Sequence, residues 1–263
     1  MLIPDTKRVI YNKTPLESVI CQLRFPPILK IDSELPSDFQ EKIRSVYPLL
    51  EESEGNIPLP QGLHKILRNE LAGKLGLGPK SYNFKTDDEK WTVALTREFI
   101  ALSTVDYQKW ETFRENLLII FNALMEVYKP SFFIRVGLRY RDVIRRSKIG
   151  LSTEKDLWPD LLNPLIAGVL GSPDLGTSIE EFSNTFVVKL ENGNGLVRIR
   201  HGLAEAKDNK EECYLIDCDY FSDERTEVNN VIDRLDRFNK EERNFFRWCI
   251  NDKLYNAMEP TIP

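Results

Sequence analysis

The sequence predicts an α+β fold: two similar halves sharing a curved antiparallel sheet, with helices on one face. Three observations carry this expectation. Short blocks with strand-like alternation recur along the chain. Two long amphipathic stretches need a sheet to cover their apolar faces. And "VICQLRF" at 19–25 is followed 115 residues later by "IRVGLRY" at 134–140.

The elements follow in order. Residues 17–25 alternate, with Val19, Cys21, Leu23 and Phe25 on one face and Ile20, Gln22 and Arg24 on the other. Pro26 and Pro27 end this strand. "SDFQEKIRSVY" reads as a short helix, with Ser37 and Gln40 as a capping box. A polar stretch with Pro58 and Pro60 leads to strands near 63–69, 80–86, 90–96 and 98–103. The strongest helix spans 107–128. Trp110, Phe113, Leu117, Ile120, Phe121 and Leu124 share its apolar face, and Asp106 is its expected N-cap.

The order then restarts. A long strand covers 131–144, and a helical region near 153–170 is interrupted at Pro159 and Pro164. "NTFVVKLENGNGLVRIRHG" is a hairpin, "CYLIDCDYF" a strand, and helices cover 224–238 and 240–258. Asn239 and Glu242 look like a cap that restarts the second of these. Each half therefore reads strand, short helix, three to four antiparallel strands, long helix. The repeat pairs 15–128 with 131–258 inside a single compact unit, 1–263. The offset of 115 sets Ile100 on Leu215, Phe113 on Val228, Leu117 on Ile232 and Ile120 on Leu235. The element order resembles the duplicated helix-grip, TATA-binding-protein-like arrangement, a likeness of fold that carries no DNA binding with it.

"TPLESVICQLRFPP", "ALSTVDYQKWETF" and "RVGLRYRDVI" together resemble a sporadically distributed family of bacterial proteins of similar length with no established activity. The likeness runs from Tyr11 to the C-terminal helix. It implies a bacterial source and one shared fold, and it transfers no catalytic residue.

Composition narrows the function. A net charge of −5 disfavours a dedicated nucleic-acid binder. The N-terminus lacks an apolar signal core, and the longest uncharged run, 161–173, is too short for a bilayer, so a cytoplasmic protein without membrane association is expected. Cys21, Cys213, Cys218 and Cys249 form no C-x-x-C pair and read as buried, reduced thiols. With only His64 and His201, neither a zinc site nor a histidine-based triad is expected. "GKLGLGP" lacks the phosphate-loop order and reads as a turn. The acidic runs "TDDEK" and "DYFSDE" read as turn and helix-entry residues, with no metal or other cofactor implied.

One feature rises above this background. "RVGLRYRDVIRRSK" sets Arg135, Gly137, Arg139 and Arg141 on one strand face, and "LVRIRHG" adds Arg198 and Arg200 beside His201. Guanidiniums suit phosphate or carboxylate forks, and Gly137 leaves room for a ligand. Cross-strand pairing with Asp217 or Asp219 would equally explain them. The favoured expectation is a non-catalytic binding or assembly protein that offers this face to a protein partner or an anionic ligand. The alternative is an enzyme or sensor acting on nucleotide or nucleic-acid phosphate through the same arginines. The arrangement of carboxylates around them decides between the two.

Overall fold

A computed structural model of the protein describes residues 3–54, 80–193 and 195–262. The protein is α+β, with a large antiparallel sheet and helices. The sheet strands are β1 (Leu16–Arg24), β2 (Leu49–Glu54), β3 (Lys80–Lys85), β4 (Trp91–Leu95), β5 (Phe99–Thr104), β6 (Arg135–Ile144), β7 (Ser183–Lys189), β8 (Leu196–Glu205) and β9 (Glu212–Ser222). The principal helices are α1 (Ser37–Ile43), α2 (Trp110–Val127), α3 (Val231–Cys249) and α4 (Asp252–Ala257). No described helix is long and apolar enough to cross a membrane.

The chain divides into two compact units. The first comprises Ser18–Leu138 and Ser222–Leu235, the second Met1–Glu17, Arg139–Phe221 and Asp236–Pro263. Strand β6 and helix α3 each contribute residues to both.

In the first unit the strands run β2-β3-β4-β5-β1. Leu23 pairs with Ile100, Ile100 with Leu95, and Leu95 with Tyr82, so one face is a continuous apolar surface. Helix α2 buries Phe113, Leu117, Ile120 and Leu124. Phe113 stacks on Trp110 and lies 5.7 Å from the Trp91 ring of β4. Phe39 of α1 meets Phe84 of β3, and Tyr47 donates to Asn116 Oδ1 at 2.9 Å. The expected core stripe of Trp110, Phe113, Leu117 and Phe121 is buried throughout.

In the second unit the run is β6-β9-β8-β7. Tyr214, Ile216, Cys218 and Tyr220 alternate onto one face of β9 and are buried. Tyr220 meets Phe238 of α3, and Tyr140 of β6 donates to Asn239 Oδ1 at 2.9 Å. All four cysteines are buried and free. Gly202 is required where β8 crosses β7, because a Cβ there would sit 2.0 Å from the Phe182 carbonyl oxygen.

Several local expectations are corrected. Strand β2 was not foreseen, because "LLEESE" carries three glutamates in six residues. Helix α2 starts at Trp110 with Lys109 at its cap; Asp106 instead accepts from Lys90 and Gln108. Ser37 is the first residue of α1 and caps nothing, with Pro36 in the cap position. Pro159 and Pro164 open two short helices, Trp158–Leu161 and Pro164–Ala167, where a missing N–H costs nothing. Asn239 and Glu242 do not restart a helix, since α3 runs through them; the cap lies later, at Asn251, which accepts from Leu254 N. The strand expected at 63–69, His64 and the Gly-rich 73–79 lie outside the described residues.

Candidate functional site

Alternation along β6, β8 and β9 separates two chemistries in the second unit. The residues on one face go to the helices. The other face carries charge: Arg139 and Arg141 from β6, Asp217 and Asp219 from β9, Arg198 and Arg200 from β8. The β8–β9 register sets Arg198 opposite Asp219 and Arg200 opposite Asp217.

Arg139 is committed to Asp217. Its Nε donates to Oδ1 at 2.6 Å and its Nη2 to Oδ2, with side chains only 12% and 5% exposed. Arg141 pairs with Glu17. The Arg198 guanidinium sits 5.6 Å from the Phe221 ring centre, within cation–π range. Arg200 makes no ion pair among the described residues: both oxygens of the carboxylate opposite it are held by Arg139, and its neighbour on β7 is Thr185.

Arg135 and Gly137 belong to the first unit. Arg135 donates to Gln22 Oε1 at 3.2 Å and lies 3.5 Å from Asp223. Its guanidinium also fills the space that Gly137 leaves open. A Cβ at 137 would stand 2.2 Å from Arg135 Nη1, so the expected ligand space is occupied by the protein's own side chain.

His201 does not join the arginines. It lies on the helix-covered face, buried, with its ring edge-on to Phe182 and Phe186. Tyr214 donates its single proton to the Ile166 carbonyl at 2.9 Å, so His201 Nδ1, 2.8 Å from that hydroxyl, is the protonated nitrogen. Burial pushes the imidazole pKa down and keeps the ring neutral.

The rest of the basic run is also matched. Arg145 reaches Asp208 at 3.0 Å and Glu211 at 3.4 Å. Arg146 is buried against Trp158 and bonded to Glu212, which also accepts from Trp158 Nε1 at 2.8 Å. These contacts tie the segment after β6 to the β8–β9 turn. At "TDDEK", Asp88 accepts from the Thr86 hydroxyl and the Lys90 amide, as a turn residue does. Among the described residues no group of three or more His, Cys, Asp or Glu could hold a metal ion.

Sequence reasoning missed a second constellation. Asp142 and Glu242 are both buried between β6 and α3. Burial drives the Asp142 carboxyl well above its ordinary range, and repulsion from Glu242 and Asp217 adds to it. Burial likewise pushes Glu242 up to about 8, only partly offset by the Tyr220 hydroxyl and the Cys218 thiol beside it. The signal was present in the alternation. Val136, Leu138 and Tyr140 mark the helix-facing side of β6, and Asp142 is the next residue on it.

The buried thiols are poor nucleophiles. Desolvation raises Cys218 and Cys249 far above the usual thiol range. No known family model matches the chain, and no curated protein is significantly similar to it.

Proposed function

We propose that this protein is a non-catalytic binding or assembly protein whose charged sheet face, in the second unit, receives a protein partner. The observation that supports this most is the Arg139–Asp217 pair. A site built for phosphate leaves its guanidiniums open to the anion. Here the central guanidinium is already spent on a carboxylate, and Arg141 is spent on Glu17. What the face offers is an alternation of both signs along β8 and β9, with Arg198 and Arg200 set against Asp219 and Asp217. That chemistry fits a protein surface better than a polyanion.

The phosphate-directed alternative rests on Arg200 alone. Two measurements separate the readings. Inorganic phosphate, a nucleoside triphosphate and single-stranded DNA are titrated against the melting temperature at low salt. No shift is expected; a saturable stabilisation lost in Arg200→Ala would favour the alternative. Affinity capture is then compared between wild type, Arg200→Glu and the control Lys109→Glu, which lies in the first unit. Loss of a captured protein in Arg200→Glu alone supports the proposed face, and equal capture by all three overturns it.

A further inference from the structure

Among the described residues the last strand of the second unit's run, β7, is an edge, and most of its length lacks the usual protection. Every residue from Ser183 to Val187 is exposed, including Phe186 at 36% and Val187 at 50%. The segment "SNTFVV" contains no charge, no proline and no bulge. Edge strands normally carry such devices to block pairing with another chain. Strand β2, at the other end of the strand order among the described residues, carries such a charge in the exposed Glu51.

The backbone phase of this edge follows from two hydrogen bonds. Leu190 N donates to Gly195 O at 2.9 Å, and Leu203 N donates to Phe182 O at 2.8 Å. Both lie on the register that pairs Ser183 with Gly202 and Lys189 with Leu196. Even-numbered residues therefore turn their N–H and C=O groups toward β8. Ser183, Thr185, Val187 and Lys189 point theirs away from it, in unbroken phase along the strand.

We propose that β7 pairs antiparallel with β7 of a second copy of this chain, joining the two across a two-fold axis at Thr185. Charge fixes the occupant and the register. Glu181 and Lys189 are exposed at the two ends of the edge, and neither makes an ion pair among the described residues. Centring on Thr185 sets Lys189 opposite Glu181 of the other copy, at both ends of the ladder. It also sets Phe182 opposite Val188 and Ser183 opposite Val187. Centring on Phe186 would place Glu181 opposite Glu191, and centring on Val187 would place Lys189 opposite Thr185 with no acid to meet it. An edge carrying an acid at one end, a base at the other and a neutral apolar middle complements itself when reversed, as a two-fold contact requires. The ladder would hold about ten main-chain hydrogen bonds, two for each outward-facing pair.

The test uses the full chain. Wild type sediments at twice the chain mass at micromolar concentration; a monomer at every concentration reached overturns the proposal. Glu181→Lys sets lysine against lysine at both ends and raises the dissociation constant roughly tenfold, and the double swap Glu181→Lys with Lys189→Glu restores it. A double swap as weak as the single one overturns the register. Cysteine scanning reads the axis directly, because the four native thiols are buried. Thr185→Cys should form an intermolecular disulfide under mild oxidation, while Phe186→Cys and Val187→Cys should not. Cross-linking at 186 or 187 instead of 185 would also overturn the register.

Discussion

Arg139 grips Asp217 through two nitrogens, with Nε 2.6 Å from one carboxylate oxygen, in a setting that leaves both side chains almost wholly out of water. Arg24, the arginine of the similar heptad at 19–25, does something else. It lies 4.0 Å from Glu98, and both are about a third exposed. Removing one partner of a buried pair strands the other, whereas an exposed pair contributes little. Arg139→Ala should therefore cost about 3–5 kcal/mol of stability, and Arg24→Ala less than about 1 kcal/mol. Chemical denaturation of the two variants measured side by side checks this. Equal losses would mean that the Asp217 contact carries no special weight.

Phe113 and Leu117 are fully covered in the first unit, Phe113 between Trp110 and Trp91. Truncation of either to Ala should destabilise by about 2–5 kcal/mol, from lost burial plus the cavity left behind. A change near that of an ordinary surface site would show that the α2 stripe is not core.

Much of this architecture was legible in alternation and helical period. The strands at 80–85, 91–95 and 99–104 and the buried face of α2 lay close to where the pattern placed them. Three things were not. Strand β2 is acidic, and an edge strand reads as loop when its pairing rather than its side chains makes it a strand. Asn239 and Glu242 match a cap in sequence, yet both side chains serve the interior, where tertiary contacts override local preference. The repeat offset of 115 also fails on the helices. It sets Phe113 on Val228, which lies in a short turn before α3. The buried positions 113, 117, 120 and 124 of α2 match 231, 235, 238 and 242 of α3, an offset of 118. At that offset Glu242 falls on Leu124. For the charged face, parity placed the arginines but could not say which carboxylates they would meet. Only the β8–β9 register and the contacts of Asp217 answer that.

Asn239 accepts from the buried Tyr140 hydroxyl, so the two residues should be coupled. Asn239→Ala and Tyr140→Phe should each cost about 0.5–1.5 kcal/mol. A double-mutant cycle should return a coupling of at least about 0.5 kcal/mol. Independent, additive losses would mean that Asn239 acts only within its own helix.

The buried acids predict how stability responds to pH. Glu242 titrates near 8 in the folded protein against an ordinary value of 4.5, and Asp142 is raised in the same direction. A carboxyl whose folded pKa is raised holds its proton in the folded state after the unfolded chain has released it. Its contribution is fully present below 4.5 and is lost as pH climbs toward about 8. The carboxylates shifted the other way, such as Asp106 and Asp208, contribute fully above their ordinary value of 3.8 and lose that contribution only as pH falls below it, so they are silent in this window. His201 opposes the trend only up to its ordinary value of 6.5, because its folded pKa is depressed. The cleanest interval therefore lies between 6.5 and about 8. There the wild-type stability should fall by up to about 1.4 kcal/mol per pH unit for each of the two carboxyls that titrates, or about 3 °C in melting temperature for each. Glu242→Gln keeps the shape and removes its own titration, leaving only that of Asp142, so its melting temperature should fall less steeply than wild type across the interval and exceed wild type at the alkaline end. A wild-type profile that is flat from 6.5 to 8, or a Glu242→Gln profile that falls as steeply, would mean that the carboxyl is not held protonated between β6 and α3.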